Sequence, residues 1–127
     1  MPAGEPFPPR QQEEIRRAIR LARETSGLPV SVYVGALAGR PRETARRLHA
    51  ALPEAGRTVL VAVDPTDRQV EILTGSEVRM RLDDRSCALA AMSMTSAFQV
   101  GDLAGGIADG VRVLAEHTRA PRARLAG

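Results

Sequence analysis

The chain has 127 residues, 43% of them apolar, and a formal net charge of +3, which suits one packed core and excludes a disordered chain. Phe7, Tyr33 and Phe98 are its only aromatic side chains, so stacking on nucleic-acid bases has almost nothing to work with. All 18 cations are arginine, which reads as the composition bias of a GC-rich genome; spread over amphipathic faces with no compact basic run, they make nucleic acid an unexpected partner.

The first residues, with Pro2, Pro6, Pro8 and Pro9, predict a flexible lead-in over 1–11. A single domain is expected over 12–118 and a flexible Arg-rich tail over 119–127. The start has neither a basic cluster nor an apolar run, so no leader is expected and the expected location is cytoplasmic. No uninterrupted apolar stretch approaches the roughly 18 residues a membrane span needs.

Ile15, Ala18, Ile19 and Ala22 recur at helical spacing, with Arg16, Arg17, Arg20 and Arg23 turned outward. Ser26-Gly27 should stop this helix, because glycine accepts the left-handed conformation common at helix ends. Val30 to Val34 alternates and is β-branched, which predicts a strand. After a loop from Gly35 to Pro41, Ala45, Leu48 and Leu52 mark a second, short helix closed by Pro53 and Gly56.

Thr58 to Val63 is a continuous apolar run, the pattern of a central strand buried on both faces. Asp64-Pro65-Thr66-Asp67 supplies a turn, and Gln69 to Leu73 follows as an antiparallel partner strand ended by Thr74-Gly75. The first strand reaches the second across a helix, so that pair should be parallel.

Asp83 or Asp84 can cap a third helix running to about Phe98. It is apolar nearly all round and is expected to be the central buried helix. Gly101-Asp102 breaks it, and Leu103, Ile107, Val111 and Leu114 line a fourth helix. Gly106 and Gly110 each cost about 1 kcal/mol in a helix interior, so their spacing suggests close packing of another backbone. The elements predict an α/β fold in which a small three-stranded mixed sheet is covered by about four helices.

Motifs for chemistry are few. The chain has no phosphate-binding glycine loop with lysine, no Cys/His metal spacing and no nucleophile elbow. Cys87, the only cysteine, sits in an apolar stretch as a small buried hydrophobe. His49 lies beside Arg46 and Arg47 and is expected to be solvated, while His117 suits a helix C-terminus. Ser93, Thr95 and Ser96 have no adjacent base. Acidic residues mark the turns and helix starts: Asp64, Asp67, Asp83, Asp84 and Asp102. Carboxylates converging from loops could hold a hard cation, calcium or magnesium.

Val59 to Val63, the Asp64-Pro65 turn, Val70 to Gly75, and the run Phe98-x-x-Gly101-Asp102-x-x-x-Gly106-x-x-x-Gly110 together resemble the TPM domain. The likeness is nearest to a small actinobacterial branch of that superfamily grouped as a domain of unknown function. The resemblance implies a compact α/β/α sandwich. It also implies links with acid phosphatase activity, divalent-cation binding and assembly roles at membranes, and it points to Asp102, then Asp83 or Asp84, as matching a family functional position. Two departures stand beside it: no extra apolar anchoring helix is present, and Ser76-Glu77-Val78 replaces a second glycine after Gly75. The expectation is therefore a non-catalytic cytoplasmic binding or accessory module with a protein partner. A metal-dependent, phosphatase-like hydrolase is the alternative. An open sheet edge at Val30–Val34 or Gln69–Leu73 would allow a homodimer.

Overall fold

The computed structural model describes residues 7–119. Its elements are α1 (Pro9–Ser26), β1 (Val30–Val34), α2 (Pro41–Ala50), β2 (Val59–Asp64), β3 (Gln69–Thr74), α3 (Asp84–Gln99) and α4 (Leu103–His117), with single 3-10 turns at Ala55–Arg57 and Val78–Met80. Residues 9–11, expected in the lead-in, are the first turn of α1. Pro9 takes the first helical position, where its missing N–H costs nothing. Phe7, ahead of them, is buried in the core. Residues 1–6 and 120–127, where the rest of the expected lead-in and tail fall, lie outside the described residues.

The sheet has strand order β1-β2-β3. β1 and β2 pair in parallel, Val32 opposite Val61, and β2 and β3 antiparallel, Val61 opposite Ile72. Central β2 is buried at every position, as its unbroken apolar run predicts. Alternation sorts the side chains into two layers. Val30, Val34, Val59, Val61, Val63 and Ile72 join α1, α3 and α4 in the larger core. Leu60, Ala62 and Leu73 join Leu37 and Ala45 under α2 in a smaller one. Each Val, Leu or Ile among them contributes about 1.5–3 kcal/mol when fully buried, so both faces are held.

α4, not α3, is the central buried helix. Nine of its residues are buried, from Ala104 to Ala115, and it lies between α1 and α3. α3 buries Cys87, Ala90, Met94 and Phe98 but leaves Leu89 and Met92 exposed. The glycines decide the order. A β-carbon on Gly110 would run into the Met94 side chain, and one on Gly106 into Ala97 and Phe98, so α4 approaches α3 closely enough to lose its own outer surface.

α1 ends in a left-handed Gly27, φ 62°, with the Gly27 N–H donating to the Arg23 carbonyl at 2.9 Å. There its C-terminal end meets that of α4: the Ser26 hydroxyl donates to the Ala115 carbonyl at 2.9 Å. The Arg81 guanidinium donates to the carbonyls of both Ser26 and Arg119. α1 and α4 thus run parallel, and their starts lie at the other end of the layer, with the close of β1 and β2.

Candidate functional site

At that end of the sheet, Asp64 closes β2 with its side chain only 5% exposed. A buried carboxylate is costly unless hydrogen-bonded, and Asp64 accepts three backbone N–H groups. Leu37 donates to Oδ2 at 3.0 Å, while Thr66 and Asp67 donate to Oδ1 at 3.0 and 3.2 Å. The Leu37 N–H above all holds this carboxyl below its ordinary value, against burial, which pushes it up. The contact ties the hairpin turn to the loop that follows β1. That loop is held further by Tyr33, whose hydroxyl donates to the Ala36 carbonyl, and by Thr44, which donates to Ala38. Asp67 is exposed in the turn.

The other acidic residues also serve the backbone. Asp102 caps α4, its Oδ1 accepting from the Gly105 N–H at 3.0 Å. Asp83 caps α3, accepting from the Ser86 N–H at 2.8 Å. That bond, with the Ser86 hydroxyl, lowers the Asp83 carboxyl. Asp84 is exposed in the first turn of α3, where a negative charge suits the helix dipole. Asp83 and Asp84 stand at one end of the 16-residue α3 and Asp102 just beyond the other, a separation of about 24 Å at 1.5 Å per residue. One cation cannot bridge them. Among the described residues no three His, Cys, Asp or Glu side chains gather as they would around a metal ion.

Cys87, His49 and Thr95 also have structural places. Cys87 is buried, and desolvation first, then the charges of Asp84 and Asp83, push its thiol up to about 11, so it stays protonated near neutral pH. His49, expected to be solvated, is half-buried with Nε2 3.0 Å from the Thr58 carbonyl. It fastens the end of α2 to the start of β2, and the Nε2–H tautomer is the one that donates there. Thr95 donates back to the Ala91 carbonyl at 2.9 Å; Ser93 is half-buried and Ser96 exposed.

A different feature is shaped to receive something. α1 and β1 enclose a groove of about 210 Å³ lined by Ile15, Arg16 and Ile19 from the helix and Val30, Ser31 and Val32 from the strand. α2 covers β2 and β3 and leaves this margin of the sheet open. Sequence patterning marks Val30–Val34 as an edge and Arg16 as outward. It does not show that α1 stands back far enough from β1 to leave a trough.

The comparisons agree with this architecture. A family model described as "Domain of unknown function (DUF5130)" matches residues 1–115. Two uncharacterised proteins from strains of Mycobacterium tuberculosis are each 28% identical over 109 residues, 86% of this chain. The chain spans 65% of the length of those curated relatives. Among solved structures, the BA42 protein of the psychrophilic bacterium Bizionia argentinensis superposes with a TM-score of 0.78 at 17% identity, covering 95% of this chain and 90% of that one. The N-terminal domain of the cg2496 protein of Corynebacterium glutamicum gives 0.76 at 16% identity, covering 98% and 84%. At such identities the likeness is one of fold.

Proposed function

The chain belongs to the DUF5130 family, and from that premise we propose that it is a TPM-like, non-catalytic binding or accessory module acting on a protein partner in the cytoplasm. One observation carries the reading: Asp64, Asp83 and Asp102 each spend their carboxylate on backbone N–H groups of their own chain. A group so committed rigidifies loops and helix starts, which accounts for its place in the chain without a ligand. The protonated Cys87 and the Thr58-bound His49 point the same way. What the fold offers outward is shape: braced loops at one end of the sheet and an open groove along its margin. The actinobacterial relatives and the TPM-like glycine spacing support the family reading without adding a reaction.

The test is a pair of measurements on the purified protein. Calcium and magnesium are titrated calorimetrically into wild type and Asp102→Asn, and hydrolysis of p-nitrophenyl phosphate is followed for both. We expect no micromolar binding and no turnover that Asp102→Asn removes. Hydrolysis that survives repeated purification and disappears in Asp102→Asn would overturn the proposal in favour of a metal-assisted hydrolase.

A further inference from the structure

β1 is an edge strand. The Pro29 carbonyl accepts from the Val59 N–H at 3.0 Å, and the Gly35 N–H donates to the Val63 carbonyl at 2.9 Å. Residues in a parallel ladder alternate between facing the neighbour and facing away. The N–H and C=O groups of Val30, Val32 and Val34 therefore point off the sheet, where no described element pairs with them. An edge strand of this kind is a template for another extended backbone unless it is protected. Common protections are proline, a bulge or an inward charge; Val30-Ser31-Val32-Tyr33-Val34 carries none of them.

The groove lies directly beside that rim. Its floor is apolar, from Ile15, Ile19 and Val32, and its volume of about 210 Å³ is that of a medium-sized side chain with room around it. The wall contributed by α1 is basic. Gln12, Arg16, Ile19 and Arg23 fall on one helical stripe, four, three and four residues apart. Among the described residues Arg16 meets only the Gln12 side-chain oxygen, at 3.3 Å, and neither Arg16 nor Arg23 has an acidic partner. Arg20, on the adjoining stripe, is paired with Glu13.

Charge decides the occupant. A second copy joined through β1 about a two-fold axis would set the two α1 stripes side by side on one face of the joined sheet, arginine against arginine. An acidic strand meets Arg16 and Arg23 with the opposite sign. We infer that β1 and the α1 groove together form a docking site for an extended acidic polypeptide segment, which adds as a fourth strand and seats an apolar side chain over Ile15, Ile19 and Val32. Main-chain bonds to Val30, Val32 and Val34 supply the affinity and the arginine stripe the selectivity. This deepens the binding-module reading and rests on it.

The experiment uses a fluorescein-labelled octapeptide, Thr-Glu-Thr-Val-Thr-Glu-Thr-Thr, whose alternate side chains put glutamate, valine and glutamate on one face, with the same peptide carrying lysine for glutamate as control, followed by anisotropy at low salt. Amide hydrogen exchange is measured on the full chain with and without peptide. We expect micromolar binding of the glutamate peptide, at least tenfold weaker binding of the lysine peptide, and slowed exchange at the Val30, Val32 and Val34 amides. The exposed double variant Arg16→Glu, Arg23→Glu should weaken the glutamate peptide at least tenfold while its melting curve stays that of wild type. Absence of binding to millimolar concentration, equal binding of both peptides, or binding without protection at those three amides would overturn the inference. So would a dimer in sedimentation that protects the same amides. Failure here leaves the phosphate-ester and cation measurements untouched; turnover dependent on Asp102 would instead remove the parent reading and leave the peptide result standing.

Discussion

Asp64 holds Leu37 across 27 positions of sequence: its buried carboxylate accepts the Leu37 N–H at 3.0 Å. The bond joins the two loops at one end of the sheet and keeps the Leu37 side chain, 3% exposed, over the smaller core. Asp64→Ala leaves a buried N–H unpaired and removes the brace from the hairpin turn. We expect a loss of about 2 kcal/mol in urea denaturation. Asp64→Asn, which retains an acceptor oxygen, should lose less.

Acid should act through the same carboxylates. Asp64 and Asp83 both have folded values below the ordinary 3.8, because the N–H groups of Leu37 and Ser86 favour the ionised forms. The stability they contribute is fully present above the ordinary value and is lost as pH falls through the lower folded values. Denaturation midpoints should therefore start to fall as pH approaches 3.8 from above and keep falling below it. The Asp64→Asn, Asp83→Asn double variant, less stable at neutral pH, should show a shallower fall. An identical slope would remove both carboxylates from the acid response.

Gly75 sits against backbone, not side chains. A β-carbon there would run into the carbonyl oxygens of Ala55 and Gly56, and the Gly75 N–H donates to Thr58 at 3.1 Å. Neither carbonyl can swing aside without breaking the 3-10 turn that leads into β2. Gly75→Ala should cost about 3 kcal/mol, the upper range for overpacking, seen as a lowered melting temperature. Gly56→Ala, whose nearest obstacle is the end of the Glu77 side chain, should cost far less.

Cys87 should be slow to react. With its thiol raised from 9.0 to about 11 by burial, the thiolate fraction at pH 8 falls about a hundredfold. Alkylation by iodoacetamide at pH 8 should be at least that much slower in the native protein than in guanidinium. Comparable rates would mean that α3 opens readily at its start.

Much of the architecture is legible before folding because single residues carry it. Gly27 ends α1, Asp64-Pro65 turns β2 back onto β3, and the run from Val59 to Val63 has no polar face to leave in water. The identity of the central helix is not legible from apolar content. α3 is apolar around its circumference, yet Leu89 and Met92 remain outside. The better signal is the Gly106/Gly110 pair, since only a backbone pressed against a neighbour needs the missing β-carbons. His49 misleads for a related reason: its neighbours Arg46 and Arg47 face water, but its own reach of the Thr58 carbonyl depends on where β2 begins. The acidic positions are legible as caps and turns; their distribution over both ends of α3 depends on helix length and direction. The groove depends on the stand-off between α1 and β1, a distance that no local pattern encodes.

The parallel pairing of α1 with α4 also governs the order in which the chain can become protein. Ser26 and Ala115, which bond where the two helices end, are 89 residues apart. A ribosome releases α1 well before α4, so until α4 emerges the Val30, Val59, Val61 and Val63 face of the sheet has no central helix to cover it. Long-range closure of this kind slows folding, and a sheet face waiting for its lid is where nascent chains stick to one another. The fifteen-residue helix Leu103–His117 is therefore the step that commits this fold.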